Sequence, residues 1–223
     1  MTGVIEVPLH RRTRTPGLID TRVGRFSPMS ITSLCAWYEA RTIVGYSHGD
    51  PISTFPDLSG NGYDLTGTAT YVVSGTKILI DSADMQASRP ISGSAPFSFG
   101  IRGDSYNSGG TLLGIGSGGG NQRSCNVCRN QLFTWGADPV FTDMGDECFI
   151  IVTYDGTTVR IYKNGTYWWS TNIGLNIQYN IYMFRWFNND RQSTLRAALG
   201  LVYDKQLNQS EITSLNYYAQ TVF

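Results

Sequence analysis

The sequence predicts an all-β fold of antiparallel strands, preceded by an extended N-terminal arm and closed by one short helix. Three observations carry this prediction. Residues 148–169 read CFIIVTYDGTTVRIYKNGTYWW, in which Asp155-Gly156 and Asn164-Gly165 each separate β-rich runs. Both dipeptides accept positive φ, so each marks a tight hairpin. The chain also has 25 glycines and 13 tyrosines against only 15% charged residues. That balance suits strands joined by tight turns and not a helical bundle. Finally, only one segment, near the C-terminus, has helical periodicity with a cap. A β-sandwich of 223 residues is commonly one domain.

Residues 1–30 read as a basic, extended arm. Arg11, Arg12, Arg14, Arg22 and Arg25 face only Glu6 and Asp20, and Pro8, Pro16 and Pro28 interrupt regular structure. The functional expectation is an anchor that orders along a neighbouring subunit or partner; the alternative is a loose terminus. The domain proper then covers residues 31–223, with its first strand over 31–40 (ITSLCAWYEA). Residues 52–64 (ISTFPDLSGNGYD) follow, and within them 57–62 (DLSGNG) is dense in residues that bond their own backbone or accept positive φ, which predicts a compact turn. Short strands follow at 70–73 and 77–80 about Ser74-Gly75, then at 97–102 and 111–115, with a hairpin over 123–128 and 131–135. The run GSGGGN at 116–121 has no lysine and no following helix, so it is a surface loop and not a phosphate cradle.

Residues 149–154 are almost continuously apolar, as a central strand covered on both faces would be. The next strand alternates, with Val159 and Ile161 on one face and Thr158, Arg160 and Tyr162 on the other. Residues 180–187 alternate too, placing Tyr182, Phe184 and Trp186 in one row, and 195–203 form the last long strand. The helix starts at an Asn208 cap with Glu211 completing a capping box, and Leu207 staples onto Ile212. Ile212, Leu215 and Ala219 form its packing face.

Seventeen basic and seventeen acidic side chains cancel, so net charge points to neither nucleic acid nor an anionic membrane as partner. No apolar run is long enough to span a bilayer, and residues 1–17 lack the apolar core of a secretory signal. Cys35, Cys125, Cys128 and Cys148 read as reduced thiols. Cys125-x-x-Cys128 supplies half a zinc site, but His10 and His48 are isolated and the other half is missing. Glycan binding needs an exposed aromatic face with polar neighbours. The candidates are Trp168 and Trp169, whose adjacency in a strand turns them to opposite faces, and Tyr182 and Trp186 beside Asn188. The competing use of the Tyr182–Trp186 row is core packing.

Five pieces then fall in a familiar order. They are Leu34-Cys35-Ala36-Trp37-Tyr38-Glu39-Ala40; Phe55-Pro56-Asp57-Leu58-Ser59-Gly60-Asn61-Gly62; and Phe97-Ser98-Phe99. Val152-Thr153-Tyr154-Asp155-Gly156 with Tyr162-Lys163-Asn164-Gly165, and Leu201-Val202-Tyr203-Asp204 leading to Leu207 and Glu211-Ile212, complete the set. Together they resemble the laminin-G-like branch of the concanavalin A-like lectin/glucanase superfamily over residues 31–223, with Phe55 where that family usually has Trp. The resemblance implies a two-sheet antiparallel jelly-roll sandwich.

Glycoside hydrolases of this superfamily place paired glutamates on one strand, facing the cleft. The glutamates here, Glu6, Glu39, Glu147 and Glu211, share no strand, so a catalytic acid–nucleophile pair is missing and no enzyme is expected. The family's commonest ion is calcium, otherwise no cofactor is implied. Asp57, Asn61 and Asp64 are one candidate oxygen-ligand set, and Asp143, Asp146 and Glu147 another; turn-stabilising bonds are the competing use of the first. Domains of this kind usually act outside cells, whereas this sequence shows an arm and no export signal. The expectation that joins these facts is a non-enzymatic virion structural protein, a bacteriophage capsid decoration, head-fibre or tail-associated subunit. It would be made in the host cytoplasm, held at the virion surface by its arm to other capsid or tail proteins, homo-oligomeric, and weakly adhesive to cell-surface glycan. The alternatives are a free carbohydrate-binding lectin module and a degenerate glycoside hydrolase.

Overall fold

The computed structural model describes residues 26–88, 92–93, 95–106, 113–116, 124–127, 131–134, 140, 142, 145, 147–178, 181–183 and 195–222. Its strands in chain order are β1 (Leu34–Glu39), β2 (Pro51–Phe55), β3 (Leu65–Ser74), β4 (Lys77–Ala87), β5 (Ser92–Gly93), β6 (Phe97–Tyr106), β7 (Leu113–Gly116) and β8 (Ser124–Val127). They continue with β9 (Leu132–Phe133), β10 (Phe149–Tyr154), β11 (Thr158–Lys163), β12 (Thr166–Asn172), β13 (Ile177–Gln178), β14 (Ile181–Met183) and β15 (Leu195–Tyr203), and helix α1 (Gln209–Thr221) ends the chain. All the pairings are antiparallel.

One layer has the strand order β1-β15-β6-β10-β11-β12, the other β2-β3-β4-β14-β7-β8-β9. They join at one seam, where Arg196 and Ala197 of β15 pair with Asp81 and Ile80 of β4. β15 therefore bonds β4 with its first half and β1 with its second, passing from one layer to the other. This is the β-sandwich that the sequence predicts.

Alternation along each strand sorts the side chains into two cores. Tyr38, Phe97, Phe99, Ile101, Ile150, Val152, Tyr154, Val159 and Ile161 point between the layers, against Tyr71, Ile80, Met85, Leu113 and Ile115 of the second layer. Phe149, Ile151, Leu199, Leu201 and Tyr203 point the other way, against Leu207, Ile212, Leu215 and Ala219. Every residue of β10 is accordingly buried, because helix α1 covers the face that the second layer does not. The helix begins as its sequence specifies: Asn208 Oδ1 accepts from Glu211 N at 3.0 Å, and Glu211 Oε2 accepts from Asn208 N at 3.0 Å.

Three differences from the sequence reading have local causes. β2 falls where no strand was expected, because Pro51 and the exposed Ser53 and Thr54 hide its strand character; among the described residues it is an edge strand bonded to β3. β3 and β4 run well beyond the short strands expected, bending across the sandwich through a register shift at Thr68 and Ala69. Phe26 to Ser30, assigned to the arm, pack on the domain. The Phe26 ring meets Tyr218 edge-on at 6.3 Å, and Tyr203 donates its hydroxyl to Pro28 O at 3.2 Å. Arg11, Arg12, Arg14, Arg22 and Arg25 lie outside the described residues.

Candidate functional site: an aromatic ledge on the edge strand

Among the described residues β12 is the last strand of its layer, bonded to β11 on one side. The hairpin that presents it is built by turn chemistry. Asn164 and Gly165 both take positive φ, 50° and 79°, as a two-residue hairpin loop requires. Asn164 is also bound into the sheet, since its N–H donates to Phe149 O at 2.8 Å and its Oδ1 accepts from Phe149 N at 2.9 Å.

In the β11–β12 ladder Ile161 faces Trp169 while Tyr162 faces Tyr167, so Trp168 is an extra residue, a β-bulge. A regular strand would send Trp168 and Trp169 to opposite faces. The bulge re-aims Trp168, so that both indoles line one open hollow of about 530 Å³ together with Val140 and Thr142. Trp169 is half-buried and packs against the inter-layer core, whereas Trp168 is 37% exposed. Tyr167 lies on the other face, edge-on to Tyr162 at 6.0 Å, with its hydroxyl 2.8 Å from Ser170 Oγ.

Lys163 belongs to the same face of β11 as Val159 and Ile161, and its ammonium stands 4.8 Å from the centre of the Trp168 ring. That distance is within the range of cation–π attraction. Lys163, Val140 and Thr142 join the site without having been singled out from sequence. The available signal was the position of Lys163 directly before the Asn-Gly turn; nothing local marks Val140 or Thr142. Of the remaining candidates, Tyr182 has its backbone in β14. Its side chain, together with Trp186 and Asn188, lies outside what the structure describes.

Of the candidate calcium ligands Asp57, Asn61 and Asp64, Asp57 is committed to holding the turn. Asp57 Oδ1 accepts from Trp37 N and Ser59 N, both at 2.9 Å, and Oδ2 accepts from Ser59 Oγ at 2.8 Å and Tyr63 N at 3.1 Å. Asp64 Oδ1 accepts from Asp57 N at 2.7 Å, and Asn61 turns its amide nitrogen to Leu34 O and Cys35 O. The four lone pairs of the Asp57 carboxylate are thus filled by donors of the chain. Asp143 and Asp146 of the second set lie outside the described residues, and Glu147 accepts from Lys77 Nζ at 2.5 Å. Among the described residues no cluster of three or more metal-ligating side chains occurs.

Other reactive groups among the described residues are buried or bonded. Cys125 is fully buried, and burial pushes its thiol well above the usual range, which disfavours the thiolate that zinc or a nucleophile needs. Glu39 is buried between Arg41 and the Tyr218 hydroxyl, and Glu211 is held by Lys205 and the helix cap. Among the described residues no helix is long and apolar enough to cross a membrane.

The fold is that of an antiparallel β-sandwich. No protein-family model and no curated protein matches the sequence. Solved structures do match. Trypanosoma rangeli sialidase in complex with 2,3-difluorosialic acid has a TM-score of 0.60 at 16% identity, over 86% of this chain and 34% of that one. The binding domain of Paraclostridial Mosquitocidal Protein 1 gives 0.55 at 18% identity, over 77% of this chain and 51% of that one. The botulinum neurotoxin serotype G binding domain gives 0.56 at 14%, over 82% and 50%. At these identities the likeness is one of fold, and this chain spans about a third of the sialidase and about half of each toxin domain.

Proposed function

We propose that this protein is a non-enzymatic glycan-binding module whose ligand seats on Trp168 and Trp169. One observation carries the reading: a bulge on a free edge strand gathers two indoles into one open hollow. Aromatic walls stack on the C–H faces of sugars, and the polar groups beside them, Thr142 here, suit hydroxyls. Bulges at sheet edges commonly re-aim side chains at binding sites. The binding domains among the structural neighbours support a recognition role for a sandwich of this shape. Glu39, Glu147 and Glu211 are each committed to other bonds, which supports binding without hydrolysis. The test is a glycan array with wild type and Trp168→Ala. Binding by wild type that Trp168→Ala abolishes, with an unchanged circular dichroism spectrum, is the expected result. Retention of binding by the variant would remove the hollow from consideration. Release of sugar during long incubation with polysaccharide would overturn the non-enzymatic part.

A second reading adds attachment. In it the module is a displayed subunit of a larger assembly, a virion in the reading of the sequence, held by residues 1–25. Placement favours it. Phe26 packs against helix α1 beside Trp37 of β1, and β1 and β12 are the two opposite ends of one layer. Five strand steps separate them, about 24 Å. An arm fixed to a partner on the β1 side would leave the ledge facing outward. Deleting residues 1–25 should abolish assembly onto the particle and leave glycan binding intact; assembly without the arm would sink the attachment.

A further inference from the structure

Lys163 differs from the other cations of the described structure. Arg41 pairs with Glu39, Lys77 with Glu147, Arg160 with Asp155, Arg196 with Asp81 and Lys205 with Glu211. Arg102 donates to Glu147 O and lies in the field of the Glu147 carboxylate. Lys163 has no carboxylate among the described residues, and its ammonium lies over the Trp168 ring instead. An ammonium on an aromatic face has exchanged part of its hydration for the ring's quadrupole while its N–H groups keep their capacity to donate. It is half-buried, held on the β11–β12 hairpin, and set against Trp168, which lines the hollow.

We infer that the hollow takes an acidic sugar, with its carboxylate or sulfate on Lys163 Nζ and its apolar face against Trp168 and Trp169. This rests on the glycan-binding reading and narrows it to a ligand class. A neutral sugar would use the indoles but leave the ammonium without a partner. An anionic one satisfies both, and the charge-assisted hydrogen bond fixes its orientation. Uronate and sulfate share this chemistry, and the ring gives no preference between them.

The experiment measures binding of the full chain to polygalacturonate, heparin and neutral dextran at low and high salt. It uses wild type, Lys163→Met, Lys163→Arg and Trp168→Ala. Wild type should retain at least one of the two acidic polymers, more weakly at high salt, and should bind dextran far less. Lys163→Met should lose about tenfold or more of that affinity, the worth of one charged hydrogen bond. Lys163→Arg should keep most of it, and Trp168→Ala should lose it. Binding to polygalacturonate alone identifies a carboxylate ligand, and binding to heparin alone a sulfate. Equal binding of dextran and acidic polymers, or a Lys163→Met protein that binds as wild type does, overturns the inference and leaves the glycan-binding reading standing. Binding to none of the three polymers overturns the acidic-sugar inference, and an empty glycan array then overturns the broader reading as well.

Discussion

Two residues show how narrowly single positions are specified. Gly114 of β7 faces Asn126 of β8, and a Cβ at Gly114 would stand 1.7 Å from Asn126 Oδ1 and 2.7 Å from its Cγ. Asn126 is 4% exposed, so the whole amide would have to leave a buried place. Gly114→Ala is expected to cost about 1–3 kcal/mol, read as a lower denaturation midpoint at unchanged slope. Asp155 is the second. Its Oδ1 accepts from Thr157 N and Thr158 N, and its Oδ2 from Arg160 at 2.6 Å. The Arg160 guanidinium, then those backbone donors, hold its carboxyl well below the usual range, against the opposing effect of burial. A depressed folded-state pKa stabilises the fold above the unfolded value, about 3.9, and that contribution disappears as pH falls through the lower one. The stability advantage of wild type over Asp155→Asn should therefore be constant from pH 7 to about 5 and shrink as pH approaches 2. Denaturant titrations across that range test it; a pH-independent difference would show that the Arg160 pair contributes nothing.

At the scale of elements, the 57–63 turn closes a sheet edge. β1 bonds β15 on one side, and its other side would present bare backbone groups. Asp57 takes Trp37 N–H, Leu58 N–H donates to Trp37 O, and Ser59 and Asn61 donate to Cys35 O. Asp57→Ala would leave buried donors unpaired and is expected to cost about 2–3 kcal/mol. Millimolar calcium should leave the melting temperature of wild type unchanged; a clear rise would restore the cation reading of Asp57, Asn61 and Asp64. This element also shows what a sequence discloses. The turn itself was legible, because Asp, Ser, Asn and Gly at short spacing act locally. Its task was not, because Trp37 and Cys35 lie more than twenty positions upstream of Ser59 and Asn61. The β10–β11–β12 meander and the capped helix were legible for the same local reason. The ledge was half legible: Trp168 and Trp169 stand out by type, but the bulge that unites them is a property of cross-strand register, which depends on how Ile161 and Tyr162 pair.

At the scale of the whole molecule, the sandwich has a sealed end and an open end. At the β1 edge the 57–63 turn, helix α1 and Phe26 close the layer. At the β12 edge no strand follows among the described residues, and Tyr167 and Trp168 stand partly in solvent, 54% and 37% exposed. Such an edge is normally blunted by charge, proline or a bulge, and here the bulge alone serves. On the proposed reading, attachment and recognition lie at opposite edges of one sheet, so they should be separable by experiment. Deleting residues 1–25 removes Arg11, Arg12, Arg14, Arg22 and Arg25 but none of the described core, so the truncated domain should melt within about 0.5 kcal/mol of wild type in stability. Its mass in solution should drop to that of one chain if the arm holds copies together, while its glycan affinity per site stays the same. Avidity for a multivalent glycan surface should fall by about a hundredfold with the oligomer. A truncated domain that keeps the oligomeric mass would move the self-association to the sandwich, with the uncovered β12 edge as the place to look. A full-length chain that is already monomeric would leave the ledge as a single binding site acting alone.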